Sequence, residues 1–143
     1  AKELSDDVRI VEPDAILSTE CDILAPCALG GILNEKTIPD LQCAIVCGAA
    51  NNQLDSDTDA KRLMDRNIIY APDYVVNAGG VINVYYELGR PYAPEPALQK
   101  AAQIYDTTLG LIRIAEEQGI STATAADNLA QSRLKKVPQI RGN

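Results

Sequence analysis

Four cysteines and two adjacent asparagines are the side chains of this sequence with the most distinctive chemistry. The cysteines are Cys21, Cys27, Cys43 and Cys47, and no two have the C-x-x-C spacing of a zinc or redox motif. The sequence contains no histidine, which excludes Ser-His-Asp catalysis, Cys-His catalysis and a histidine-ligated zinc site. We therefore expect reduced thiols that pack as small buried hydrophobes, rather than a metal or redox site.

Asn51 and Asn52 lie a few residues after the apolar run CAIVCG, residues 43–48. Side-chain amides both donate and accept hydrogen bonds, so they suit the polar, uncharged groups of a ligand. An asparagine pair in a loop also serves ordinary turn chemistry, and the residues alone favour that interpretation. Both interpretations place the pair in the loop that follows a buried strand.

The composition limits the class of protein. The 143 residues include 13 basic and 20 acidic side chains, giving a net charge of -7, which argues against binding to nucleic acid. With 46% hydrophobic and 23% charged residues, the chain is too apolar to be disordered. No apolar run reaches the roughly 20 residues that a membrane-spanning helix needs. We expect a globular protein of the cytoplasm that does not bind membranes.

Extended and helical segments alternate in the first two thirds of the chain. Residues 21–26 and 43–48 are continuous apolar runs, typical of strands in a parallel sheet that is covered on both faces. Residues 68–77 form a third extended segment, and residues 8–11 predict a fourth strand at one edge.

Helix signals separate these strands and fill the last third of the chain. Helical periodicity covers residues 58–66 and 95–118, and a final helix is predicted to end near residue 135. The boundary signals are Asn34 as an N-cap, Asn67 as a left-handed C-cap, Gly119 as a helix stop, and Ser121 or Thr122 as a cap.

The predicted fold class is α/β. Three or four strands are too few for a doubly wound nucleotide-binding domain, which commonly has six. No G-x-G-x-x-G or phosphate-binding loop motif occurs, and the glycine pairs at 30–31 and 79–80 are weak signals. We therefore expect the second half of a Rossmann-like, doubly wound parallel sheet over residues 1–90, followed by a C-terminal helical appendage over residues 91–143.

Three stretches, followed by the helical tail, carry a family resemblance. They are CDILAPCALGGILN (residues 21–34), IVCGAANNQL (45–54) and IIYAPDYVVNAGGVINVYYEL (68–88). Together they closely resemble the C-terminal part of the NAD-dependent amino-acid dehydrogenases, in the branch of the leucine, valine and phenylalanine enzymes that are relatives of glutamate dehydrogenase.

The resemblance implies reversible oxidative deamination of an amino acid, in which a hydride passes from the α-carbon to NAD. It implies these residues at the cofactor: Pro26, Cys27, Ala28, Ala49 and Asn51. It implies these residues at the substrate: Asn52, Val81 and Val84. In this family a lysine and an aspartate of the preceding domain handle the protons. No lysine here matches that motif, so we assign no catalytic residue to the chain.

Val81 and Val84 lie three residues apart, on one face of a predicted helix. From the residues alone, both are ordinary core positions. The resemblance instead places them beside the substrate side chain, where glutamate-specific relatives carry a hydroxyl at the second position. A valine there favours an apolar L-amino acid such as leucine or valine, because a buried carboxylate without a partner costs several kcal/mol.

Two alternatives to an enzyme stay open for this chain. It could be a truncated, non-enzymatic relative that binds a ligand in part of the cleft, or a helical assembly element. The enzyme interpretation implies a small-molecule amino-acid substrate and a homo-oligomer formed through the parent enzyme. An exposed sheet edge left by missing strands favours a larger parent or a partner chain.

Overall fold

A short parallel sheet forms the centre of the computed structural model, which describes residues 8–88, 91 and 93–136. The strands are β1 (Ile23–Leu24), β2 (Ile45–Val46) and β3 (Ile69–Tyr70), in the order β1-β2-β3. Both pairings are parallel, with Ile23 opposite Ile45 and Ile45 opposite Ile69. The predicted parallel α/β arrangement is confirmed.

The fourth strand predicted at residues 8–11 is wrong. This segment has no regular structure, and Ile10 is 65% exposed. Directly afterwards, Pro13 opens a 3-10 helix, Pro13–Ser18, whose geometry is incompatible with an extended chain. The apolar residues of this segment gave the strand pattern, but Val8 and Ile10 are exposed and the segment joins no strand of the described sheet.

The crossovers between strands contain short helices whose ends are fixed by polar side chains. Between β1 and β2, the Asn34 side chain accepts hydrogen bonds from the backbone of Lys36 and Thr37, ahead of a 3-10 helix at Ile38–Asp40. Between β2 and β3, helix α1 (Asp57–Asp65) begins with a capping box. The predicted left-handed C-cap follows it, with Asn67 at a φ of 56°.

The third extended segment is shorter than predicted. It ends at Tyr70, and residues 73–76 form a single helical turn, α2 (Asp73–Val76), instead of continuing the strand. Pro72 at the N-cap explains the change, because a proline at the start of a helix costs no backbone hydrogen bond. Helix α3 (Gly79–Glu87) follows.

Two long helices complete the described chain: α4 (Pro94–Gln118) and α5 (Thr122–Lys136). Gly119 ends α4 with a φ of 63°, as predicted. The Ser121 hydroxyl accepts a hydrogen bond from the Thr124 backbone N–H and so caps α5, which confirms one of the two predicted caps.

Buried side chains form two clusters. One lies between the sheet and its crossovers and includes Leu33, Leu41, Val46 and Leu63. The other joins α4 to α5 through Leu111 and three alanines. Residue 90, where the first predicted unit ends, lies outside the described residues.

Candidate functional site

The loops that follow β1 and β2 are held together by backbone contacts at the carboxyl end of the sheet. The Ala50 N–H donates to the Pro26 carbonyl at 2.9 Å. Gly48 lies against the same proline, so closely that a methyl group there would overlap the Pro26 backbone. Ligands of open parallel sheets bind in the crevice outside the carboxyl ends of the strands, so these two loops form one wall of a candidate site.

A second set of contacts joins the same two loops further out. The Gly31 N–H donates to the Asn52 carbonyl at 2.7 Å, and Asn52 has a left-handed φ of 53°. A Cβ on Gly30 would lie 2.7 Å from the Asn51 carbonyl oxygen. Asparagine adopts left-handed angles more readily than most residues, so Asn52 has a backbone role as well as an available side chain.

Gln53 stabilises the loop that follows β2. It is fully buried, and its Nε2 donates to the Gly48 carbonyl at 2.8 Å and to the Ala50 carbonyl at 2.9 Å. Its backbone N–H donates to Asp73 Oδ2 at 3.4 Å, which ties the loop to α2. Two loop carbonyls that would otherwise be buried without partners are thereby satisfied.

Tyr70 and Asp73 form a buried pair at the end of β3. The Tyr70 hydroxyl donates to Asp73 Oδ1 at 3.2 Å. Burial raises the pKa of Tyr70 well above its ordinary value, and the backbone N–H of Asp73 offsets part of that effect. This pair fixes the first turn of α2 relative to the sheet.

Asn77 connects the third loop to the second. Its Nδ2 donates to Asn51 Oδ1 at 2.7 Å and lies 3.4 Å from the Ala49 carbonyl oxygen. Because the Asn51 oxygen is thus engaged, the amide nitrogen of Asn51 remains as the donor that a ligand would meet. An open recess lies beside this bond, and these residues line it: Asn51, Asn52, Asp73, Tyr74, Asn77, Ala78 and Val81.

Three of the residues singled out by sequence meet in this recess: Asn51, Asn52 and Val81. Val81 is 69% exposed and Val84 is 52% exposed, so the interpretation of both as core residues is wrong. Val84 lies one turn further along α3 and does not line the recess. Ala49, also exposed, contributes its carbonyl oxygen to the Asn77 amide.

The three residues of the first loop lie outside the recess lining. Pro26 is buried, and its carbonyl is used by Ala50, whereas Cys27 and Ala28 are exposed. The expectation of buried thiols is wrong for Cys27, because the chain leaves the sheet at Pro26 and the next side chain faces solvent. The other three cysteines are half-buried, and all four are free.

Sequence reasoning missed Tyr74, Asp73 and Asn77. The Tyr74 hydroxyl donates to Asp127 Oδ1 of α5 at 2.8 Å. Burial is the main cause that raises the pKa of Tyr74, and the Asp127 carboxylate raises it further. A signal was present, since polar side chains that follow a third parallel strand must lie near those that follow the second.

The side chains that line the recess suit a polar, uncharged group. The recess presents the amides of Asn51 and Asn52 beside Asn77, whose nitrogen is used within the protein, and its lining contains no lysine or arginine that could bind a pyrophosphate. Among the residues described, no three cysteine or carboxylate side chains lie close enough to hold a metal ion. None of the helices in the described ranges is long and apolar enough to cross a membrane.

Comparison with known proteins identifies close relatives. The chain is 49% identical over 133 residues to a leucine dehydrogenase from Thermoactinomyces intermedius, covering 93% of this chain and 36% of that protein. The crystal structure of L-tryptophan dehydrogenase from Nostoc punctiforme has a TM-score of 0.83 and 52% identity, covering 87% of this chain and 38% of that one. The chain thus spans about a third of the length of the curated relatives that it matches.

A more distant structure confirms the fold. The hetero-hexameric glutamate dehydrogenase from Thermus thermophilus matches with a TM-score of 0.73 at 22% identity, covering 97% of this chain and 35% of that one. The predicted Rossmann-like parallel sheet with C-terminal helices is therefore confirmed. The family model for glutamate/leucine/phenylalanine/valine dehydrogenase matches residues 1–142, and the chain belongs to this family.

Proposed function

We propose that this chain forms the part of an NAD-dependent amino-acid dehydrogenase that holds the nicotinamide and the substrate. The reaction is the reversible oxidative deamination of an apolar L-amino acid to a 2-oxo acid and ammonia. One observation carries the proposal: Asn51, whose side-chain oxygen is held by Asn77, lines a recess at the carboxyl end of the sheet and keeps its amide nitrogen as a donor. Family membership supplies the class of reaction.

Each side of the cleft has a distinct role. Asn51, held by Asn77, donates to the carboxamide of the cofactor, while Ala49 allows the backbone to approach it. The first loop, with Pro26, Cys27 and Ala28, faces the nicotinamide ribose; buried Pro26 sets the course of the backbone there. NAD held by these residues would supply the hydride acceptor for the substrate α-carbon.

The substrate lies against the other wall. Asn52 hydrogen-bonds its polar end, and Val81 and Val84 flank its side chain from α3. Both valines are exposed, so an aliphatic side chain would remove their apolar surface from water, whereas an unpaired carboxylate would lose its hydration. The relatives include both leucine and tryptophan dehydrogenases, which supports an apolar substrate without choosing among such substrates.

Further aspects of the proposal concern the whole protein. We place proton transfer on a lysine and an aspartate that have no counterpart in this chain, and we place the enzyme in the cytoplasm as a homo-oligomer. NAD rather than NADP is proposed from the branch of the family that the sequence resembles.

The experiment is an activity assay of the protein produced from the complete reading frame that contains these residues. Purified protein is mixed with NAD and a series of L-amino acids, and NADH absorbance is followed. We expect reduction of NAD with leucine or valine, and much less with glutamate. No reduction with any amino acid, together with NADH binding by the same protein, would instead support a non-enzymatic binding module.

Val84→Ser tests the assignment of the substrate wall. A hydroxyl at this position should raise kcat/KM for a polar amino acid relative to leucine. The matched control is Val8→Ser, a similarly exposed valine far from the cleft in sequence, which should leave the ratio unchanged. An unchanged ratio in both variants would remove Val84 from the substrate site.

A further inference from the structure

Two of the cysteines are neighbours at the amino end of the sheet, opposite the candidate cleft. β1 and β2 pair in parallel from Ile23 opposite Ile45, and Cys21 and Cys43 each lie two residues before these partners. A backbone bond joins the two segments here, because the Cys21 N–H donates to the carbonyl of Gln42, the residue before Cys43, at 3.0 Å. Cys21 and Cys43 therefore lie on neighbouring stretches of chain.

The spacing of paired strands suits a bond between the two sulfur atoms. Neighbouring strands lie about 4.8 Å apart where they pair. Disulfides form where the Cα atoms are about 4.4–6.8 Å apart, and this range includes the spacing of adjacent strands. The two cysteines lie just before the regular pairing, since both Ala44 and Ile45 donate to the Asp22 carbonyl.

The pair is accessible to small reagents. Both thiols are half-buried against the sheet core and line one open depression, whose other polar side chains are Glu20, Asp22, Gln42 and Arg66. Burial raises the pKa of the Cys43 thiol, Cys21 raises it further, and Arg66 offsets part of the effect. The two thiols would take the roles of attacking and resolving thiol.

The remaining two cysteines cannot replace either member of the pair. Cys47 follows Cys43 by four residues along the same strand, a separation of about 13 Å. Cys27 is exposed beyond the other end of β1. The geometry thus selects one pair among the four thiols.

We propose that Cys21 and Cys43 form a redox site, a dithiol that a peroxide oxidises to an intramolecular disulfide. One thiol of the pair ionises and its thiolate attacks one oxygen of hydrogen peroxide; the O–O bond breaks, and the leaving hydroxide takes up the released proton, so that a sulfenic acid and water form. The sulfur of the second thiol then attacks the sulfenic sulfur, the S–S bond forms, and the sulfenic oxygen leaves with the proton of the second thiol as another water. Two thiols lose two electrons in total, and the peroxide gains them. The site is independent of the proposed dehydrogenase function.

The test uses the intact protein with Cys27→Ser and Cys47→Ser, so that only the proposed pair remains in this region. The protein is treated with hydrogen peroxide, free thiols are alkylated, and tryptic peptides are analysed by mass spectrometry without reduction. Cleavage after Lys36 separates the two cysteines, so a disulfide appears as a cross-linked pair of peptides that lacks two hydrogen atoms. We expect this product, and we expect dithiothreitol to restore two alkylatable thiols.

Two comparisons make the test decisive. Oxidation should give the cross-link faster in the folded protein than in urea, because the fold brings the thiols together. Adding Cys43→Ser to the same background should abolish the cross-link and leave Cys21 as a sulfenic acid, detectable with dimedone. Equal rates in folded and unfolded protein, or oxidation to sulfonic acids without a cross-link, would overturn the proposal. A disulfide between two protein molecules would overturn it as well.

Discussion

The two ends of the three-stranded sheet are built in different ways. At the carboxyl end, loops meet through backbone hydrogen bonds and glycine contacts, as between Gly31 and Asn52 or Gly48 and Pro26. At the amino end, a side chain closes the structure: the Arg66 guanidinium donates to the Ile38 and Leu41 carbonyls.

This difference has a functional consequence. Where the backbone makes the contacts, side chains such as Asn51 and Val81 stay available for a ligand. Where a side chain such as that of Arg66 makes the contacts, its donors are used within the protein and are not available to a ligand. The proposed cleft therefore lies at the end where backbone contacts join the loops to one another and the buried Gln53 and the Asn77 side chain support them, which is a form of preorganisation that favours binding.

The largest effect is expected at the backbone contact of the carboxyl end. Gly48→Ala should destabilise the protein by about 3 kcal/mol or more, because its methyl group would overlap the Pro26 backbone, which cannot move without breaking the Ala50 hydrogen bond. The control is Gly79→Ala, where no atom lies within 4 Å of the new Cβ. Urea denaturation measures both. Equal losses would show that the loops do not depend on close packing.

The next effect tests the amino end. Arg66→Ala should cost about 2 kcal/mol, because two carbonyl groups lose a charged donor. Lys61→Ala is the control, since it removes an exposed ion pair to Asp65 on the same helix and should cost no more than about 0.5 kcal/mol. A loss for Arg66→Ala as small as that of the control would mean that side-chain closure of this end contributes little.

Alkaline pH should destabilise the protein through Tyr70, which lies at the carboxyl end of the sheet. Its pKa is raised in the folded state above the ordinary value of about 10, so the unfolded chain loses the proton first. Stability from this group is fully present below about pH 10 and is lost as the pH rises further. The urea midpoint should therefore fall above that pH in the wild type, and fall less steeply in Tyr70→Phe. Parallel curves for the two proteins would show that Tyr70 does not contribute.

Sequence patterns predicted the features that depend on neighbours in the chain. The apolar runs gave the three strands, and the left-handed positions Asn67 and Gly119 followed from helix-end chemistry. The same reasoning failed at residues 8–11, where a strand pattern occurs in a segment that pairs with no described strand, and at residues 73–76, where a proline starts a helix.

The contacts that define the site could not be predicted in this way. The Asn77–Asn51 and Tyr74–Asp127 hydrogen bonds join residues far apart in the chain, and only the packed fold sets their geometry. The left-handed conformation of Asn52 is similar, because it arises from the bond to Gly31 in another loop rather than from a helix end. Family resemblance identified Asn52, but it did not reveal this second role.

The smallest expected loss of stability comes from substituting the two asparagines with left-handed φ angles. They give the most direct comparison, because one lies at each end of the sheet. Asn52 lies at the carboxyl end, and Asn67 lies ahead of β3 at the amino end, with φ angles of 53° and 56°. Alanine at either position should cost about 1 kcal/mol in backbone strain, whereas glycine should be nearly neutral. Asn52→Gly therefore removes the amide while keeping the loop, and it should raise KM for the amino acid in the complete enzyme. Asn67→Gly should leave KM unchanged. If the two glycine variants had the same KM as the wild type, Asn52 would be a turn residue only, and the functional difference between the ends would rest on Asn51 and Asn77.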